Sequence, residues 1–297
     1  MEIDVGWGLS DAVTFSADSE YIFTGGQDGV RVRRVGDGKQ MASMQADSVR
    51  CLAVSKDGKW IAGGTYLGDV LVWDANTYKQ VFGHREDGVH EINGVDFSPD
   101  STRLVSASDN WTAIVWDIAT GERAQTFPHK DWVIAAKYSP QGGRIATATF
   151  HSVWVYDSND GRLLLDINAR VTQWFNGGLV WFNDHLLVLS EGKIKQFEAS
   201  TGSAVSEWPL PDTDQFSCIA LPKQGEFIAC STKRSVTFWD MATHTRLGLI
   251  QDPQDIRSIA LSPDDRFIAI SGRDAKIIIQ SLSRIIVSTI LWLVEIV

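Results

Sequence analysis

The chain has 297 residues, of which 44% are hydrophobic and 22% charged, and this composition indicates a folded globular protein rather than a disordered chain. The formal net charge of −10 argues against a surface built to neutralise nucleic-acid phosphates, so direct nucleic-acid binding is not expected. The three cysteines, Cys51, Cys218 and Cys230, lack a C-x-x-C spacing. They predict buried free thiols in a reducing, intracellular compartment, which we take to be the cytoplasm, with the nucleus as the alternative.

The two ends of the sequence differ in character. The first four residues contain two acids and lack the apolar run of a signal peptide. Residues 285–297 are almost wholly apolar, yet this segment is shorter than the ~20 residues that cross a bilayer. Its β-branched residues favour a strand, and no membrane span is predicted.

A repeat of about 40 residues runs through the whole sequence. Each copy begins with an apolar strand and a turn like Ser98-Pro99-Asp100 and continues with a strand of small residues. The third strand ends in most copies on an aromatic residue followed by an acid, as in Trp116-Asp117, while the first and last copies end on Arg33-Arg34 and Gln280-Ser281. The aromatic position falls on residues 33, 73, 116, 156, 197, 239 and 280. Such a spacing is typical of β-propeller blades, each of which is stable only between its neighbours.

The repeats therefore predict an all-β fold, a single seven-bladed propeller of four-stranded antiparallel blades occupying residues 1–297. The predicted blades cover residues 11–47, 48–87, 88–131, 132–170, 171–214, 215–256 and 257–297. Two segments compete for the outer strand of the last blade, namely residues 3–7 from the N-terminus and residues 285–291 from the C-terminus. The C-terminal segment is favoured, because its offset from position 280 matches the offset of the outer strand of the third blade from position 116.

These motifs resemble the WD40-repeat family over nearly the whole sequence. In that family a His before the first strand, a Ser or Thr on the second strand and an Asp in the following turn form a hydrogen-bonded tetrad with the Trp of the third strand. The third blade fits this pattern best, with His84, Ser106 or Ser108, Trp116 and, where the family prefers Asp, Asn110. The resemblance also implies tetrad roles in other blades for His129, Asp28, Asp274, Trp73 and Trp239.

The resemblance further implies that partners bind at the wider "top" face, which is formed by the loops between blades and the hairpins between second and third strands. Aromatic side chains mapped to these loops form a candidate protein-binding surface: Tyr66, Trp111, Trp132, Phe150 and Trp174. Aromatic residues anchor many protein interfaces, and Tyr66, Trp111 and Phe150 are the predicted hot spot. For Trp132, packing between blades is the favoured alternative, and for Trp174 the two interpretations are balanced.

The sequence predicts no catalytic residue, metal site or cofactor. The six histidines are scattered over turns, and the only ionisable pair in the innermost strands, Asp96 and Lys137, is interpreted as an ion pair. The basic residues Arg31, Arg33 and Arg34 replace the Trp-Asp pair of the first blade and are interpreted as a solvated strand facing Asp28 or Asp37.

The leading function is a non-catalytic scaffold or adaptor that binds other proteins or peptides, either alone or as one subunit of a larger complex. The alternatives are a quinoprotein-like propeller enzyme and a subunit of an RNA-associated assembly.

Overall fold

The computed structural model describes residues 2–4, 10–85, 88–171, 178–210, 218–251, 255–273 and 276–285. Their strands form seven antiparallel sheets of four strands each, so the predicted all-β, seven-bladed propeller is confirmed. Within a blade, strands a to d run from the central axis outward.

Strand β1 (Glu2–Asp4) precedes the first complete blade. Blade 1 comprises β2 (Ser10–Phe15), β3 (Tyr21–Gly26), β4 (Gly29–Arg34) and β5 (Gln40–Met44). Blade 2 comprises β6 (Val49–Val54), β7 (Trp60–Thr65), β8 (Asp69–Asp74) and β9 (Gln80–Arg85). Blade 3 comprises β10 (Ile92–Phe97), β11 (Arg103–Ser108), β12 (Thr112–Asp117) and β13 (Arg123–Pro128). Blade 4 comprises β14 (Ala135–Tyr138), β15 (Arg144–Ala148), β16 (Val153–Asp157) and β17 (Leu163–Ile167).

Blade 5 comprises β18 (Leu179–Phe182), β19 (His185–Ser190), β20 (Lys193–Glu198) and β21 (Ala204–Pro209). Blade 6 comprises β22 (Cys218–Ala220), β23 (Phe227–Ser231), β24 (Ser235–Asp240) and β25 (Arg246–Gln251). Blade 7 comprises β26 (Ile256–Leu261), β27 (Phe267–Gly272) and β28 (Lys276–Ser281), and its fourth strand is β1.

The core lies between the blades. The middle strands are apolar on both faces because each sheet is covered by its two neighbours, and side chains such as Ile61, Trp116 and Phe238 are fully buried there. Burial of apolar surface contributes roughly 25 cal/mol per Å², so the contacts between blades supply most of the favourable free energy of folding.

The turn between strands c and d packs against the preceding blade, as blade 3 shows. In blade 3, Asp117 accepts hydrogen bonds from two backbone amides of the turn, and Gly121 then adopts a φ of 72°. A β-carbon at Gly121 would lie 3.2 Å from Phe82 of blade 2. The same left-handed position is occupied in blades 1 to 6 by Gly38, Tyr78, Gly121, Gly161, Gly202 and His244.

The predicted closure by the C-terminal segment is wrong. Strand β1 is the outer strand of blade 7, with Ile3 opposite Ile277. The reason lies in the turn, because Ile285 occupies the position that is left-handed in the other six blades, and a β-branched residue disfavours that conformation. The backbone turns toward blade 6 instead, where Ile285 packs on Gly248, and residues 286–297 lie outside the described residues.

The basic residues of β4 are only partly as predicted. Arg31 and Arg34 pair with Asp28 and Asp37 at 3.3 and 3.0 Å, as the sequence suggested. Arg33, however, is 5% exposed, so it is not part of a solvated strand. It occupies the aromatic position of blade 1, and its guanidinium donates a hydrogen bond to a side chain of β5.

Candidate functional site

The top face of blades 2 to 4 carries four of the predicted aromatic residues. Tyr66, Trp111 and Trp132 are 46%, 54% and 37% exposed. Phe150 is half-buried, and its ring centroid lies 6.3 Å from that of Trp132. Packing of Trp132 between blades is therefore wrong, since its indole is exposed beside Phe150, and Trp174 lies outside the described residues.

Trp111 has an unusual backbone. It lies in the hairpin between β11 and β12 with a φ of 69°, a region that bulky L-residues rarely adopt. The corresponding hairpins of blades 1, 2 and 5 place Gly29, Gly68 and Gly192 in the left-handed region. Trp111 thus presents a large exposed side chain at a position where glycine suits the backbone better.

A β-bulge at the start of strand a re-aims one side chain in four blades. The register of strands a and b shifts by one residue in blades 7, 1, 2 and 3. The extra residues are Arg257, Asp11, Arg50 and Asn93. Bulges of this kind often direct side chains at functional positions.

Arg50 joins three blades at the mouth of the central channel. Its guanidinium lies 3.0 Å from the carboxylate of Asp11 in blade 1 and 3.0 Å from that of Glu91, which precedes β10 of blade 3. It also lies over the ring of Tyr66, 5.2 Å from the centroid. Burial raises the pKa of Glu91 to about 7, although the charge of Arg50 lowers it.

Two carboxylates lie in the loops that carry the exposed aromatic residues of blades 3 and 4. Asp109 accepts a 2.6 Å hydrogen bond from the amide of Asn93, and burial raises the pKa of Asp109. Asp131 caps the backbone N–H of Trp132 at 2.8 Å and lies 3.7 Å from His151. These groups make this sector of the top face acidic and aromatic.

The central channel contains a cavity of about 170 Å³ lined by strands a. Lys137 pairs with Asp96 at 3.4 Å, and the backbone N–H of Tyr138 donates to the same carboxylate, so the predicted ion pair is present. Among the described residues, no group of three or more His, Cys, Asp or Glu side chains is arranged to hold a metal ion. The cysteines are free and buried, as predicted, and desolvation raises the pKa of Cys51 and Cys218.

In blade 3, the structure selects Ser106 over Ser108 as the partner of the buried Trp. The indole Nε1 of Trp116 donates a 2.8 Å hydrogen bond to Ser106. His84 packs against Trp116, with ring centroids 4.8 Å apart, and accepts a 2.6 Å hydrogen bond from Arg123. Ser108 instead accepts a hydrogen bond from the backbone N–H of the turn residue Asn110.

Other blades use different partners at the same place. In blade 4, Nδ1 of His129 donates to the carbonyl of Phe127, and Nε2 accepts from Thr147 at 2.8 Å, with Tyr156 3.5 Å away. Burial lowers the pKa of His129 and keeps the ring neutral.

Two further blades lack a complete tetrad. Trp239 donates to Thr237 on its own strand at 3.0 Å. The ring of Trp73 lies on Gly63, whose β-carbon would be 3.0 Å from the indole. The predicted tetrad acid Asp28 pairs with Arg31 at the surface, and Asp274 lies outside the described residues.

Sequence comparison assigns these repeats to a family. The model of the WD domain, G-beta repeat matches residues 38–74, 76–117 and 246–279. Three segments of this seven-bladed propeller are therefore WD40 repeats. The matched segments include the third strands that end in Trp73 and Trp116.

The protein is also similar to parts of several longer proteins. The U3 small nucleolar RNA-associated protein 15 homolog of Xenopus laevis is 25% identical over 75% of this chain and 44% of its own length. Autophagy-related protein 16 of Arabidopsis thaliana is 22% identical over 93% of this chain and 48% of its own. WD repeat-containing protein 1 of Mus musculus is 34% identical over 27% of this chain and 14% of its own. The WD40 propeller thus spans less than half the length of each of these three relatives.

Several residues of this WD40 site were not predicted from the sequence. The bulges bring Arg50, Asp11 and Glu91 together. Because the length of the repeat varies from blade to blade, a bulge of one residue cannot be recognised in the sequence. Thr147 was not predicted either, although it occupies the second-strand position that the family gives to Ser or Thr. Within the described residues, no helix has the length and hydropathy required to cross a membrane.

Proposed function

We propose that this propeller is a non-catalytic scaffold that binds a protein partner on the top face of blades 2 to 4. The observation that carries the proposal is Trp111, a 54% exposed indole on a left-handed backbone. Strained residues of this kind persist at functional positions because the surrounding structure holds them there. Exposed Tyr66 and the Trp132–Phe150 pair would extend the same contact surface.

The charges near this surface favour a partner segment rich in Lys or Arg. Asp109 and Asp131 lie in the loops that carry Trp111 and Trp132, so a cation that approaches these loops would meet carboxylates as well as aromatic side chains. Complementary charges of this kind raise association rates and select among partners.

The central channel supports a non-catalytic role. Its cavity of about 170 Å³ is smaller than the ~300–1,000 Å³ of typical ligand and cofactor sites. Its partly buried charges Lys137 and Asp96 are already paired with each other.

One relative's name refers to association with U3 small nucleolar RNA, and this makes membership of an RNA-associated assembly a second candidate. In that case we propose that the propeller contacts protein, because the net charge of −10 disfavours phosphate binding. The buried free thiols support an intracellular location, in the cytoplasm or the nucleus.

The test is quantitative affinity capture from native extract with matched variants. A triple alanine variant of Tyr66, Trp111 and Phe150 is expected to lose the specific partner. A triple alanine variant of Leu163, Val205 and Leu249 removes similarly exposed apolar side chains from the outer strands of blades 4, 5 and 6 and is expected to retain it. Equal capture by both variants would contradict the proposal.

A further inference from the structure

A second cavity lies on the opposite face of the ring, between blades 3 and 4. It has a volume of about 390 Å³ and lies where the a–b turns of the two blades and the c–d turn of blade 4 meet. Its lining includes Arg103 from the start of β11, Tyr138 from the end of β14, and the pair Gly142 and Gly143. This volume is within the range of small-ligand sites.

Two glycines line the cavity at this junction. In blades 1 and 3 the corresponding turn position is Ser19 or Ser101, whose hydroxyl accepts a backbone N–H from the preceding blade at 3.2 or 3.3 Å. In blade 4 this position is Gly142, so the hydroxyl that would bridge the two turns is missing. A β-carbon at the next residue, Gly143, would find no atom within 4 Å.

Tyr138 places an unsatisfied hydroxyl at this cavity. Its side chain is 6% exposed, and its OH has no hydrogen-bond partner within the described residues. The corresponding strand-end residues are Phe15 in blade 1 and Phe97 in blade 3, so the hydroxyl is not required for packing in this position. Desolvation raises the pKa of Tyr138, and the OH therefore remains a donor.

Arg103 supplies a positive charge to the same cavity. Its Nη1 donates to the carbonyl oxygen of Ser158 at 3.3 Å, and within the described residues it forms no ion pair with a carboxylate. The one acid among the described lining residues, Asp100, accepts hydrogen bonds from Ser98 and Thr102 of its own turn through Oδ1. A guanidinium with free N–H groups beside a phenol donor is suited to a carboxylate.

We propose that the cavity between blades 3 and 4 binds a carboxylate group of a partner segment, with Arg103 and Tyr138 as the donors. The carboxylate belongs to an acidic residue of the partner or to the partner's own C-terminus. This site is independent of the top face, because it lies at the other ends of the strands from Trp111. Its failure would leave the proposed top-face contact untouched.

The test is titration of the full ¹⁵N-labelled protein, followed by backbone-amide NMR, with three probes. N-acetyl-glutamate α-methylamide represents the carboxylate of an acidic residue, N-acetyl-alanine represents a C-terminus, and N-acetyl-glutamine α-methylamide is the neutral isostere. Saturable shifts centred on Gly142, Gly143 and Asn159 are expected for at least one carboxylate, with at least tenfold weaker binding of the glutamine probe. The carboxylate probe that binds more tightly shows whether the partner's carboxylate is an acidic side chain or a C-terminus.

Variants locate the binding in the cavity. Gly143→Leu fills the cavity from a position with open space around it, and Tyr138→Phe removes only the hydroxyl; each is expected to weaken binding at least tenfold. Gly36→Leu, at another glycine whose β-carbon would meet no atom within 4 Å, is the matched control and is expected to bind like the wild type. Equal binding of the glutamine probe, absence of saturable shifts, or full binding by Gly143→Leu would overturn the proposal and leave a cavity that holds only water.

Discussion

Replacement of Trp111 distinguishes the free-energy cost of its left-handed backbone from the contribution of its indole to partner binding. The residue has a φ of 69° where three other blades have glycine. An L-residue in the left-handed region costs about 1–2 kcal/mol, and the greater freedom of glycine in the unfolded state offsets about 0.5–1 kcal/mol of the gain from removing that strain. We therefore expect Trp111→Gly to unfold with a free energy about 0.5–1 kcal/mol higher than Trp111→Ala.

The stability assay is equilibrium unfolding in urea followed by circular dichroism, with partner capture measured on the same preparations. Both variants are expected to lose capture equally, because both lack the indole. Thus Trp111→Gly should be the more stable of the two variants and still be defective in binding, a combination typical of residues kept for function. A glycine variant that is no more stable than the alanine variant, or that captures the partner normally, would refute the reasoning.

Three further predictions concern stability and pH. Ser106→Ala leaves a buried indole N–H without its acceptor and is expected to lower the free energy of unfolding by about 1–3 kcal/mol in urea titrations. Gly64→Ala is expected to lower it by a similar ~1–3 kcal/mol, since a β-carbon would lie 2.4 Å from Ile92, whereas Gly36→Ala, with no atom within 4 Å, should be nearly neutral. Glu91 has a folded-state pKa of about 7, above its ordinary value of 4.5, so the folded state binds the extra proton and stability falls as pH rises between these values. Glu91→Gln should reduce this decline by about 1–2 kcal/mol when unfolding is measured from about pH 4.5 to 7.5.

Each of these expectations has a clear contrary result. A cost below a few tenths of a kcal/mol for Ser106→Ala would mean that water replaces the lost acceptor. Equal stability of the two glycine variants would mean that blades 2 and 3 separate easily at Gly64. An unchanged pH dependence in Glu91→Gln would show that the carboxylate remains charged beside Arg50.

The sequence predicted the repeat and the blade count because the period is carried by an aromatic residue and an acid that five of the seven blades share. The aromatic residue of strand c is buried between sheets, and the acid after it caps the c–d turn, as Trp116 and Asp117 do in blade 3. The error in ring closure came from matching offsets alone. Inspection of Ile285 at a position that requires a left-handed backbone would have favoured the N-terminal strand.

The candidate site was only partly predictable. The exposed aromatic residues follow from loop position, because an indole in a tight hairpin, such as Trp111, has little room to be buried. The network of Asp11, Arg50 and Glu91 depends on bulges whose effect is three-dimensional, and Arg33 is buried because it fills the volume of a missing Trp. The bulges are not visible in a single sequence, whereas the burial of Arg33 follows from its place at the aromatic position of the repeat.

Because β1 pairs with residues 276–278, this strand leaves the ribosome long before its partner is made. Until β28 is made, the edges of β1 are unpaired, and unpaired edges can pair with strands of other molecules. Contacts so distant in sequence are also slow to form. Completion of the ring is therefore a late event in synthesis, and unpaired strand edges persist until it occurs.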